Sequence, residues 1–460
     1  MEGAGRKWRF LFDLPSLMPA LTSPSIDEIP LYREGASDEE SMRIAETDPV
    51  GFHLRAFAAM GPVYRMLMDG ETVIMFAGLE SNEFIWKNTE LWTYRNLLAA
   101  FREELGDDHV TAIDGPHHRQ KRTILKPAFD QLPAMRYLPQ YNAIFHQKLK
   151  ETPALEKIDT VHWWASTICR AQSQTVARTE MSDEVLEQLI SWEKHLLSGI
   201  RLGEERITHY GDDNYVRMKA VVLGLLGRMV DERLAEPDKY DDNFAMVMQA
   251  RIKAEGSALS RENLVDDLYL VLLAGVENTS KLLSSALLAT LRDPAWLAEV
   301  RAELDAWDGH DVMALAGMTR LKATIMEVQR LYPPITLNVR EAAQDFEFAG
   351  YRFPAGTVLY HMQILCHYLD AFYEAPLQFK PQRFVEDGRF VAKTNGIFGG
   401  GTHVCLGRNH TLLQTPIALA QMLKYYDLDV LEEKTSQGNG PLSPGQFLKE
   451  LWVRIVPRKS

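Results

Sequence analysis

Apolar residues recur at helical spacing through most of the chain. From about Asp48 onward the pattern predicts helices at roughly 48–60, 80–88, 116–128, 134–150, 160–180, 183–199, 212–235, 240–254, 261–292, 294–306 and 317–332. A further helical run extends from Arg408 to Tyr426. Short strand-like pieces stand at Val63–Met68, Thr72–Ala77, Phe346–Phe348, Thr357–His361 and Glu450–Val456. Between two of these, Pro354-Ala355-Gly356 reads as a hairpin turn. Residues 1–45, rich in Pro, Ser and acidic side chains, read as an N-terminal arm of short irregular elements. No repeat, low-complexity tract or composition shift follows, so residues 46–460 are expected to form one domain. The fold expected is mainly α, a large helical body with small peripheral β-sheets.

Bulk numbers narrow the function. With 460 residues, 46% hydrophobic and 25% charged, the chain can bury a large core. A formal net charge of −13 argues against a general nucleic-acid binder, which normally carries a basic face. The three cysteines, Cys169, Cys366 and Cys405, have no spacing that suggests a disulfide framework or a zinc site. Cys169 and Cys366 sit in apolar segments and read as core residues, which fits a reducing, cytoplasmic setting. The apolar stretch Trp8 to Leu21 is interrupted by Asp13, Pro15 and Pro19, and falls short of the ~20 apolar residues a membrane-spanning helix needs. Leu268 to Val276, flanked by Asp266, Asp267 and Glu277, reads as a buried helix.

Candidate chemistry concentrates at Phe398-Gly399-Gly400-Gly401-Thr402-His403-Val404-Cys405-Leu406-Gly407. One cysteine stands in a glycine-rich loop just ahead of a helix. Glycines permit backbone conformations and close approaches that a Cβ blocks. A helix start presents free N–H groups and a positive dipole end, and both stabilise a thiolate. Such a thiolate is a strong ligand for haem iron. The plain alternative is a buried structural cysteine in a glycine turn.

The loop resembles the haem-binding loop of the cytochrome P-450 family, Phe-x-x-Gly-x-(Arg/His)-x-Cys-x-Gly, with Phe398, Gly401, His403, Cys405 and Gly407 at the fixed positions. Other segments follow in the family's order. Glu327-Val328-Gln329-Arg330, with Tyr332-Pro333-Pro334 after it, resembles the Glu-x-x-Arg helix, and Phe379-Lys380-Pro381-Gln382-Arg383-Phe384 the Pro-x-Arg-Phe meander. The resemblance implies a buried triad of Glu327, Arg330 and Arg383, and a fold that encloses a buried haem. Leu273-Ala274-Gly275-Val276-Glu277-Asn278-Thr279-Ser280 resembles the oxygen-binding helix, so Ala274 and Gly275 are expected against the haem and Glu277, Asn278 and Thr279 at the catalytic position. Asn278 stands where the family usually has threonine. It donates and accepts hydrogen bonds but is no hydroxyl, and Thr279 lies about 100° further round a helix. His118 and Arg122, at i and i+4, match the family's propionate-binding pair, and Arg340 and His403 complete a set of four donors. His410 and Thr411 stand where Leu and Ala are usual.

The resemblance implies a haem-thiolate monooxygenase with haem b (iron protoporphyrin IX), Cys405 as the metal ligand, and O2 and a lipophilic small molecule (terpenoid, steroid, fatty acid or aromatic) as substrates. No flavin, nicotinamide or iron–sulfur motif is visible, which implies external partners, a ferredoxin with its ferredoxin reductase. Arg119, Lys121, Lys126 and Arg408 form a candidate basic docking patch. The substrate pocket is expected along Tyr94–Phe101, at Tyr269, Leu270, Leu273 and Ala274, at the turn Ile335–Asn338, and near Gln446–Phe447. Asn278 keeps open a peroxide-using or isomerising enzyme. A non-catalytic haem sensor is the third reading, and a zinc or iron–sulfur site lacks companion cysteines.

Overall fold

The computed structural model describes residues 24–200, 203–391 and 393–458. Helices form where the apolar stripe and the end signals agree. Asp183–Gly199 is representative: Ser182 caps it by accepting from the Val185 N–H, Asp183 and Glu184 face the positive end of its dipole, and Leu186, Leu189, Ile190, Trp192 and Leu196 are buried along one stripe. The helices at Pro49–Met60, Gly115–Phe129, Thr160–Thr175, Asp213–Ala235, Asn243–Glu255, Pro294–Asp305, Thr319–Leu331 and Arg408–Tyr425 follow the predicted spans closely. The span 134–150 begins as a separate short helix, Gln131–Met135, before Leu138–Glu151. Cys169 and Cys366 are buried, as their surroundings in the sequence imply.

The central span 261–292 is not one helix. It is Arg261–Leu272 and Val276–Leu291, separated by the turn Leu273-Ala274-Gly275. The Val276 N–H donates to the Leu273 carbonyl, an i to i−3 bond that tightens the chain there. Gly275, a poor helix former, makes this break cheap. The arm also differs from expectation, since Asp38–Thr47 is a helix capped by Ser37 with three acidic residues in its first turn. The Trp8 to Leu21 stretch lies outside the described residues.

Among the described residues, three small sheets flank the helices. The largest runs in the order Val63–Met68, Glu71–Ala77, Val358–Met362, Asn338–Ala342, Trp92–Thr93. The second contains Gly438–Asn439, Tyr426–Thr435, Leu448–Pro457 and Lys157–Asp159. The third is the hairpin of Phe346–Phe348 and Tyr351–Phe353, which turns at Ala349-Gly350 rather than at Pro354-Ala355-Gly356. The latter turn instead carries the chain into the first sheet. Stacking of Phe76 on Phe348 (5.0 Å) and of Phe346 on Phe353 (4.7 Å) fixes the hairpin there. Tyr426–Thr435 escapes the sequence pattern because its face is acidic and largely exposed. Its long antiparallel pairing with Leu448–Pro457 makes it a strand.

A buried charge cluster holds the region that precedes the cysteine loop. Glu327 and Arg330 are both fully buried and paired through two bonds of 2.9 and 2.8 Å. Arg330 also donates to the carbonyls of His367, Pro376 and Gln378. Arg383 Nε lies 3.3 Å from Glu327, and the Lys380 N–H donates to the same carboxylate at 2.9 Å. The expected triad is therefore present, with the backbone as a fourth member. His367 ties this cluster to the next segment: its Nδ1 contacts the Arg330 carbonyl and its Nε2 accepts from the Gly396 N–H. That acceptor role requires a neutral ring.

Two measurements test this core. Glu327→Ala leaves the Arg330 guanidinium buried without its partner and is expected to lower the unfolding free energy by ~3–5 kcal/mol in urea denaturation. Burial holds His53 down to about 4 and His367 down to about 3, from 6.5. Because the folded values are depressed, the unfolded chain takes up these protons first. Stability is then complete above pH 6.5 and falls as pH drops toward 4 and 3. Between pH 6.5 and 5 the expected loss is about 2 kcal/mol per histidine, and His53→Gln removes its share.

Candidate active site

A cavity of about 350 Å³ lies between the break in the central helix and the cysteine loop. On the loop side, Gly399 and Gly401 have φ near +68° and +67°, in the left-handed region that favours glycine. A Cβ on Gly400 would meet the Trp86 ring at 2.3 Å, so the loop packs against Trp86 only because that position is bare. The Cys405 N–H donates to the Phe398 carbonyl at 2.9 Å, which closes the loop and leaves the side chain exposed toward the cavity. Burial pushes the Cys405 thiol up, against the pull of the Gly407 and Arg408 N–H groups and the Arg122 charge. A metal ion bound to this sulfur would shift the balance to the thiolate.

One corner of the cavity is rich in hydrogen-bond donors, two of them guanidinium groups, and poor in anions. His118 stacks on His403 at 3.7 Å, Tyr94 lies 4.1 Å from His403, and Arg340 sits 4.7 Å from the Tyr94 ring. Arg122 lines the same space. Burial, with the nearby cations, pushes His118 down to about 4 and His403 down to about 2, and burial lowers Arg340 and Arg122 as well. The nearby carboxylate, Asp114, already accepts from the Thr93 hydroxyl and the Tyr94 N–H and stays 3.9 Å from His403. His118 Nε2 and Arg340 Nε are buried without a partner. Orphaned donors of this kind are costly unless a ligand satisfies them.

A haem fits this donor set. Cys405 would hold the iron, while His118, Arg122, Arg340 and His403 would hold the anionic side groups of the porphyrin. Among the described residues no group of three or more His, Cys, Asp or Glu is placed to hold a metal ion.

The opposite wall is the helix break. Ala274, Gly275, Asn278 and Thr279 all line the cavity, together with Leu270 and Val271. Helical spacing turns Thr279 away from Asn278's face, but the cavity wraps the first turn of the second helix far enough to touch both. Glu277 is not on this wall. One of its oxygens pairs with Lys281 one turn on, and the other is buried without a partner. The acid expected over the cavity therefore faces away from it.

Most predicted residues converge here. Phe398, Gly407 and the four donors line the cavity with Cys405, whereas Gly401 packs behind the loop against Trp86 and Thr89. In the predicted substrate wall, Tyr94, Leu98, Leu270, Ala274, Ile335 and Asn338 line the space. Tyr269 and Leu273 are buried outside the lining, Phe101 stacks on His109, and the Phe447 ring lies against Lys281. Lys121 does not belong to a surface patch: it is 1% exposed, held by Asp108, Asp266 and Asp267. Arg119, Lys126 and Arg408 remain exposed.

Sequence reasoning misses Thr111, Gln172 and Gln414 in the lining. Gln414 follows the unusual His410 by one turn, and its Oε1 is buried without a partner. That polar i, i+4 pair is a legible signal. Gln172, from a distant helix, carries none.

Comparison with known proteins agrees with this geometry. The family model described as Cytochrome P450 matches residues 44–448. The putative cytochrome P450 120 of Synechocystis is 26% identical over 406 residues, covering 86% of this chain and 87% of the relative. A sterol 14alpha-demethylase of Mycolicibacterium vanbaalenii is 22% identical, covering 90% and 94%. The solved structure of retinoic acid bound cyanobacterial CYP120A1 superposes with a TM-score of 0.76 at 22% identity, covering 95% of this chain and 100% of that one.

Arg340→Leu tests the cationic corner. Loss of one charge-assisted hydrogen bond of about 1.5–3 kcal/mol is expected to speed haem transfer to apomyoglobin by roughly tenfold to a hundredfold.

Proposed function

The chain belongs to the cytochrome P450 family, and from that premise we propose that it inserts one atom of O2 into a C–H bond or alkene of a lipophilic small molecule. Membership makes it a haem-thiolate monooxygenase that takes electrons from redox partners. The finer reading is ours: haem b on Cys405, a catalytic unit spanning residues 46–460, a ferredoxin and its reductase as electron donors, and a cytoplasmic location. The observation that carries it is the Cys405 sulfur facing a cavity whose far wall is a broken helix bearing Asn278 and Thr279.

When bound, the haem supplies dioxygen activation. The chain's residues supply the rest. Cys405 would hold the iron through its thiolate, whose charge the backbone N–H groups at the start of the following helix would moderate. Tyr94, Leu98, Leu270, Val271 and Ile335 exclude water and hold an apolar substrate such as a terpenoid, steroid, fatty acid or aromatic. That one similar protein is named a sterol 14alpha-demethylase, and the solved structure of another is described as retinoic acid bound, supports this class, since a sterol and retinoic acid are both extended apolar molecules. Asn278 would offer hydrogen bonds at the wall opposite Cys405, with the Thr279 hydroxyl beside it. Glu277, paired with Lys281, acts as a charge reserve behind that wall rather than as a donor within it. Arg119, Lys126 and Arg408 are the proposed docking face for an acidic electron carrier.

One observation favours a second reading. With Asn278 in place of an alcohol and Glu277 turned away, turnover with added peroxide is the natural rival. Turnover of the same substrate with O2 and a surrogate ferredoxin chain is the expected result. If only peroxide supports it, the rival stands. Asn278→Thr is expected to raise the ratio of product formed to peroxide released on the order of tenfold, the scale of one hydrogen bond of ~1.4 kcal/mol.

A further inference from the structure

Behind the cavity wall lies a second polar construction that the proposed chemistry does not use. Thr111 lines the cavity between Val110 and the helix Gly115–Phe129. Its hydroxyl lies 3.0 Å from His109 Nε2, and His109 Nδ1 is hydrogen-bonded to Asp266 Oδ1. The order hydroxyl, imidazole, carboxylate fixes the ring, because a carboxylate at Nδ1 demands a proton there. His109 is 1% exposed and Asp266 3% exposed, and Phe101 stacks on the ring at 4.7 Å.

The carboxylate is itself anchored. Asp266 Oδ2 accepts from Lys121 at 2.8 Å, Lys121 also bonds Asp108 and the Asp108 carbonyl, and Arg251 joins Asp108 to Asp267 at 2.6 and 2.7 Å. Four chain segments meet in this cluster: the loop 106–113, Gly115–Phe129, Asn243–Glu255 and Arg261–Leu272. Burying so many charges is expensive, and apolar packing would brace a loop at lower cost. What apolar packing would not provide is one oriented hydroxyl in an apolar wall formed by Val110, Leu270 and Val271.

We propose that Thr111 is a specificity-determining residue that hydrogen-bonds an oxygen function, hydroxyl or carbonyl, of an otherwise apolar substrate, with His109 and Asp266 as its positioning residues. This rests on the substrate reading above and narrows it from lipophiles in general to oxygenated ones. A site built around a polar group rejects the analogue lacking it, because the site's own polar group is then left unpaired.

The test is binding, not turnover. Haem-loaded protein, its thiolate ligation checked separately by the ferrous carbonyl spectrum, is titrated calorimetrically with alicyclic triplets. Each triplet contains an alcohol, its ketone and the parent hydrocarbon, on decalin and p-menthane skeletons. In Thr111→Val the affinity of the alcohol or the ketone relative to the hydrocarbon is expected to fall about tenfold, one hydrogen bond of ~1.4 kcal/mol. Thr111→Ser retains the wild-type ratio. His109→Phe lowers the ratio while leaving hydrocarbon affinity unchanged, which a merely structural role would not do. An effect on the alcohol alone means that Thr111 accepts, and an effect on the ketone means that it donates. Ratios unchanged by Thr111→Val in every triplet, or no wild-type binding of any oxygenated member, overturn the proposal. Failure of the carbonyl spectrum would instead overturn the haem-thiolate reading.

Discussion

The Arg330 guanidinium has no access to water, and much of the molecule is arranged around that fact. A buried cation must find both a counter-charge and acceptors for its N–H groups. Glu327 supplies the first from one turn away, and carbonyls of residues 367, 376 and 378 supply the second. Those carbonyls belong to the irregular stretch ahead of the cysteine loop, which has little regular structure of its own. The guanidinium is therefore what fixes its path. His367 extends the constraint to Gly396, four residues from the glycines that pack on Trp86. The loop that carries Cys405 thus inherits rigidity from one charge.

The cavity shows the complementary arrangement, with charges left open. His118, Arg122, Arg340 and His403 crowd one corner, and the neighbouring Asp114 is committed to Thr93 and Tyr94. A folded chain does not keep buried donors orphaned without a reason. A porphyrin would satisfy both ends, with its anionic arms held at this corner and its iron by Cys405. The same electrostatic logic keeps Lys121, only three residues from His118, out of any surface patch. Asp108, Asp266 and Asp267 draw it inward.

Across the cavity, small residues break the helix and open a wall that two polar side chains share. Asn278 and Thr279 both reach it, while Glu277 is held back by Lys281. The wall opposite Cys405 therefore carries an amide and a neighbouring hydroxyl rather than a facing acid. Thr111 adds a second oriented hydroxyl on a different element, fixed through His109.

Local pattern is enough for the helices, for the cysteine loop and for the order of the charged motifs, because each is encoded within a few residues by periodicity, capping or glycine placement. Cys405 is legible from its glycine-rich loop, whereas His118, Arg122 and Arg340 are legible only through the resemblance of their segments to the family's motifs. The strand Tyr426–Thr435 is not, since its partner rather than its own alternation makes it a strand. The direction of Glu277, the burial of Lys121 and the place of Gln172 and Thr111 are decided only by tertiary packing. Each depends on a group far away in sequence or on the exact face a helix presents after a break, and no short window of residues carries that information.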